Sequence, residues 1–164
     1  MKLRLACLLA AALLLVAPAA ARAGEIVPFG GGYSAGSIVI VTHARQLYYV
    51  LGNGSAIRYP VGVGKAGQAW HGEASVERKL IRPAWQSPPE VSGSYGPVIP
   101  GGDPRNPMGA AVLGLDNGNY AIHGTNNPAS VGKFVSHGCI RMHNADILDL
   151  YRRAHVGTRV TVLQ

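Results

Sequence analysis

The chain is poor in cysteine, in acidic side chains and in long apolar runs. Two cysteines among 164 residues leave no room for a disulfide framework. Eight Asp+Glu stand against fifteen Lys+Arg, a net charge of +7. Without residues 1–23 the excess is +4, modest enough to need no nucleic acid, and it would suit an anionic surface. The longest apolar run, Leu5 to Val16, is short of the roughly 20 residues that a bilayer span takes, so no stable membrane span is expected. There is no internal repeat. Beyond Gly30-Gly31-Gly32 there is no low-complexity tract, and the length suits one domain of ordinary size.

What is present begins with a processing signal. Lys2 and Arg4 precede the apolar run, Pro18 breaks it, and Ala21-Arg22-Ala23 has the A-x-A form of a cleavage site. This order predicts a secretory signal peptide over 1–23 and a mature protein from Gly24. Cys7 lies too early in that segment to read as a lipoprotein cysteine. Removing 1–23 takes away Lys2, Arg4 and Arg22, so the net charge falls from +7 to +4. It also takes away Cys7 and leaves Cys139 as the single cysteine. A lone thiol in an exported protein reads as a reactive group, an intermolecular bridge or an inert buried residue.

Residues 24–36 read as a flexible, glycine-rich lead-in, and 37–164 as the folded domain. Ser37 to Thr42, Gln46 to Leu51 and Ala56 to Val63 predict a β-meander, with Asn53-Gly54 as a hairpin turn. Residues 64–110 hold seven prolines and little periodicity, so they read as a long loop pinned by Trp85. Ala110 to Leu115 and Asn119 to His123 predict two strands about an Asp116-Asn117-Gly118 turn. Asn144 is placed to cap a helix over Ala145 to His155. Ile147, Leu150, Tyr151 and Ala154 line one face of that helix, and Thr158 to Leu163 reads as a closing strand. The expected fold is mainly β: a β-sandwich or mixed sheets, with one helix near the C-terminus and a long Pro-rich loop.

The chemistry concentrates in His123 to Asn144, HGTNNPASVGKFVSHGCIRMHN. A cysteine attacks as thiolate and needs a base or a positive neighbourhood. His123 stands 16 residues before Cys139 at the end of an expected strand, and the loop between them can fold back. Gly138 allows close backbone approach, so amides near Gly138 and Cys139 are candidate oxyanion donors. Arg141 offers a guanidinium fork for a carboxylate. His43, His71 and His155 read as ordinary surface histidines, Tyr120 as core, and Trp70 and Trp85 as packing anchors.

SHGCIRM at 136–142, together with His-Gly-Thr at 123–125, resembles the signature of the L,D-transpeptidase (YkuD-type) family. PGGDPRNPMGAAVLGL, NADILDLY and VGTRVTV resemble its flanking segments, so the likeness covers about 37–164. The resemblance implies Cys139 as nucleophile and His123 as general base and acid. It puts the Gly124 carbonyl where the imidazole is oriented, His137 as a supporting histidine, and Ser136 and Gly138 as parts of the loop. Arg141 becomes the substrate-carboxylate candidate. It further implies attack on the diamino acid–D-Ala bond of a peptidoglycan stem peptide in a bacterial periplasm or envelope. The acyl group then passes to an amine, with envelope proteins among the candidate acceptors. No metal and no organic cofactor is implied. One departure stands out: where many relatives carry Thr-Pro-x-Gly, this chain reads Gln68-Ala69-Trp70-His71-Gly72.

Three alternatives stay open. Water could resolve the thioester, giving a hydrolase. The domain could be a non-catalytic wall-binding module. Or His123, His137, Cys139 and His143 could hold zinc, although H-x-C-x3-H lacks the paired spacing of familiar zinc sites.

Overall fold

The computed structural model describes residues 24–164; the expected signal segment, 1–23, lies outside the described residues. In chain order the strands are β1 (Glu25–Pro28), β2 (Ile38–Val41), β3 (Gln46–Gly52), β4 (Ser55–Pro60), β5 (Val63–Gly64) and β6 (Gly72–Ile81). β7 (Trp85–Gln86), a single helical turn α1 (Pro89–Ser92) and β8 (Val98–Ile99) follow. The rest are β9 (Ala111–Leu115), β10 (Ala121–His123), β11 (Phe134–Ser136), β12 (Ile140–Arg141), the helix α2 (Asn144–Arg153) and β13 (Arg159–Leu163).

β-Branched density decides the centre. Ile38, Val39 and Ile40 are fully buried, and β2 sits between β3 and the parallel β13. A strand covered on both faces reads as a continuous apolar run, as this one does. Nine strands join in the order β1-β4-β3-β2-β13-β6-β9-β10-β12. The turn between β3 and β4 has positive φ at both Asn53 and Gly54, the conformation that matches strand twist in a two-residue hairpin. Leu113, Leu115, Ile122 and Ile140 meet Met142, Ile147 and Leu150 in the same core. The helix thus packs beneath β9, β10 and β12. The architecture is mainly β, with mixed sheets and one C-terminal helix, as the sequence led us to expect.

Three expectations need correction. The segment 64–110 is not one long loop, because β6 runs through it for ten residues. Its first half pairs with β13 and its second with β9, with a register shift between Val76 and Arg78. A bulged strand that passes from one set of partners to another turns the sheet at that point. Only Ala74 and Val76 are buried along it, so Glu73, Glu77, Arg78 and Lys79 hide its strand character. The remaining loop is pinned by Asn106, a residue not singled out in the sequence: its Nδ2 donates to the carbonyls of Pro83, Ile99 and Pro100 at 2.9–3.3 Å. The lead-in is likewise not free throughout, since β1 pairs with β4 from Glu25–Arg58 to Pro28–Ser55. Finally, the cap position of α2 is His143, and Asn144 makes no cap bond.

Candidate active site

β10 and β12 run parallel, with Ile122 opposite Ile140 and His123 opposite Arg141. Side chains alternate along a strand, and opposed residues project to the same face. Ile122 and Ile140 therefore turn into the core. His123 and Arg141 turn to the other face, where Cys139, one step before β12, joins them. The Ala121 N–H is directed at the sulfur, and Cys139 Sγ lies 3.9 Å from the Asn119 carbonyl. The Arg141 charge bears on both the thiol and the imidazole.

The turn carrying Cys139 is held on two sides. Gly62 exchanges both backbone hydrogen bonds with Arg141 at 2.8 Å, and Lys65 N–H donates to Ser136 O at 3.0 Å. Within the turn, Ser136 Oγ donates to Cys139 O at 2.6 Å and accepts from Gly138 N–H at 3.1 Å. Gly138 has φ +121, and a Cβ there would run into the Tyr120 ring. Tyr120 stacks on Trp70, with ring centroids 5.4 Å apart. The Trp70 segment, singled out as a departure, thus lies against the Cys139 turn.

His123 is 2% exposed. Its Nδ1 lies 2.6 Å from Gly124 O. A carbonyl only accepts, so Nδ1 carries the proton and the lone pair is on Nε2. Burial is the main force that pushes the imidazole down to about 4. Arg141 adds to that, and the carbonyls of Gly124 and Pro107 oppose it. Burial also pushes the Cys139 thiol up, against the Ala121 N–H and Arg141. The resting pair at neutral pH is therefore a thiol and a neutral imidazole.

The structure brings together Cys139, His123, Gly124, Ser136, Gly138 and Arg141. The His137 side chain is exposed and makes no hydrogen bond among the described residues. Gly138 N–H is spent on Ser136, so of the two expected oxyanion donors only the Cys139 N–H stays a candidate. Among the described residues, no three His, Cys, Asp or Glu side chains gather as metal ligands. No described helix is long and apolar enough to cross a membrane. Sequence reasoning missed Tyr120 as a wall of the Cys139 turn and Asn144 as a brace. Asn144 Oδ1 accepts from Ala110 N–H at 3.0 Å and Thr125 N–H at 3.1 Å, and nothing in local spacing signals either contact.

The model of the L,D-transpeptidase catalytic domain, YkuD, matches residues 35–162. The probable L,D-transpeptidase YbiS of Escherichia coli is 37% identical over 136 residues, covering 76% of this chain and 43% of YbiS. The probable L,D-transpeptidase ErfK/SrfK of the same organism is 36% identical over 138 residues, covering 78% of this chain and 44% of that protein. The chain thus spans less than half the length of these relatives. Among solved structures, an avibactam carbamoyl enzyme, Ldtfm, superposes with a TM-score of 0.65 at 19% identity, over 80% of this chain and 50% of that one. L,D-transpeptidase 3 from Mycobacterium tuberculosis, carrying a faropenem-derived adduct, gives 0.59 at 16%, over 78% and 60%. At those identities the likeness speaks to the fold.

Proposed function

The chain belongs to the L,D-transpeptidase family through its YkuD catalytic domain, and from that premise we propose that it is an exported enzyme that transfers acyl groups between peptidoglycan stem peptides. The register that sets His123 opposite Arg141, with Cys139 one residue ahead of β12, carries the reading. Cys139 Sγ attacks the carbonyl between the diamino acid and the terminal D-Ala as its proton passes to His123 Nε2. Proton transfer coupled to attack suits a pair that rests neutral. The Cys139 N–H steadies the developing oxyanion. His123 returns the proton to the leaving D-Ala amine, and a thioester remains on Cys139. An amine acceptor then displaces the thiolate.

Arg141 is half-buried beside both reacting groups and takes a carboxylate of the stem peptide in its fork. Ser136 and Gly138 shape the turn, and the Gly124 carbonyl keeps the imidazole tautomer. Residues 1–23 direct export and are removed, and 37–164 form the catalytic unit in the bacterial envelope. Purified mature protein incubated with a disaccharide tetrapeptide, with and without an amine acceptor, tests the reading. Release of D-Ala with a cross-linked or amine-capped product supports it. A free tripeptide alone, with acceptor present, makes the protein a hydrolase, and no D-Ala release contradicts the activity.

A further inference from the structure

We infer that Asn144 is a positioning residue for His123, acting through the peptide plane between Gly124 and Thr125. The inference rests on the reading of His123 as the base and names what holds that base in place. The carbonyl of this plane, Gly124 O, receives His123 Nδ1–H at 2.6 Å. The amide of the same plane, Thr125 N–H, donates to Asn144 Oδ1 at 3.1 Å. One rigid unit is therefore pinned at both ends, and rotating it would break both bonds at once. Gly124 has no side chain to resist that rotation, so the Asn144 bond supplies the resistance.

The second bond to Asn144 Oδ1 fixes the other side of the site. Ala110 N–H donates to it at 3.0 Å, just ahead of β9, which pairs with β10. The oxygen thus joins the entrance of β9 to the exit of β10. Two glycines are shaped around it: a Cβ on Gly109 or on Gly124 would fall on Asn144 Oδ1. Gly109 also has φ +65, so the fold accepts a left-handed residue there to keep the space. Asn144 stands at the first residue of α2, where such side chains ordinarily serve their own helix. Here its oxygen serves residues 19 and 34 positions away.

Asn144→Ala and Asn144→Asp, made in the mature protein, test this. With the alanine, kcat for D-Ala release should fall on the order of 100-fold while KM stays nearly unchanged, because a misplaced base costs rate and spares binding. NMR of the His123 imidazole nitrogens should show that the Nδ1–H form is no longer favoured. Aspartate offers an acceptor oxygen to the same two amides, so it should recover most of kcat. Its charge should also move the acidic limb of the kcat–pH profile upward, since a nearby anion favours the imidazolium. Wild-type kcat and tautomer in a folded Asn144→Ala overturn the inference. If alanine does not fold, an aspartate variant with low kcat, or with the wild-type acidic limb, overturns it. Failure of the base reading is separate: a folded His123→Ala that keeps its kcat would sink that reading, whatever Asn144 does.

Discussion

Burial of a neutral His123 should make the fold acid-sensitive in a window set by one residue. Its ordinary value of 6.5 falls to about 4 in the folded chain, chiefly through desolvation, and the side chain is sealed at 2% exposure. The unfolded chain therefore binds a proton that the folded chain refuses. This contribution to stability is fully present above 6.5 and is lost as pH falls from 6.5 towards 4. The gap corresponds to roughly 3 kcal/mol, most of which should be gone by about pH 4.5. Against a typical stability of about 5–15 kcal/mol, that is a large share. Urea denaturation of wild type and His123→Gln between about pH 7 and pH 4.5 isolates it, because other carboxylates titrate in both proteins. The wild type should lose stability relative to the variant by roughly 2–3 kcal/mol across that range. A difference that stays constant with pH would refute the neutral, desolvated imidazole.

Gly138→Ala should abolish turnover and destabilise the Cys139 turn, since φ +121 strains any side chain and the new Cβ meets Tyr120; retained activity with an unchanged melting curve would count against that packing. Arg141→Gln should raise the Cys139 thiol further, because the Arg141 charge favours the thiolate. Iodoacetamide alkylation should then need a higher pH than in wild type, and an unshifted profile would remove Arg141 from the site. Tyr59→Phe should cost about 2 kcal/mol in chemical denaturation. Burial works against the Asp149 carboxylate, yet bonds from Arg153 and from the buried Tyr59 hydroxyl at 2.6 Å hold it below the usual range. A loss within error would show that water replaces the hydroxyl.

The parts of this fold that announced themselves are those whose pattern is local. Ile38 to Val41, the Asn53-Gly54 hairpin and the apolar face of α2 each carry their signal in neighbouring residues. β6 does not, because its partners, not its side chains, make it a strand: it serves β13 with one half and β9 with the other. At the site, the motif pointed to His123, Cys139 and the Gly138 turn. It was silent on what holds them. Asn144 read as a helix cap because its type and position fit one, while its bonds run to Ala110 and Thr125 across the fold. His137 read as a supporting group because it is next to Gly138, and its side chain is exposed at the bend that follows β11.

The proposed acyl transfer turns on Cys139 forming a covalent acyl intermediate. Intact-mass spectrometry of the mature protein mixed with a stem tetrapeptide, and separately with a carbapenem, followed by peptide mapping, reads this directly. Wild type should gain the mass of the acyl group on the peptide containing Cys139, with one D-Ala released per tetrapeptide adduct, and Cys139→Ala should gain nothing and release nothing. Turnover by a folded Cys139→Ala, or an adduct mapped to any other residue, would contradict the nucleophile and the mechanism built on it.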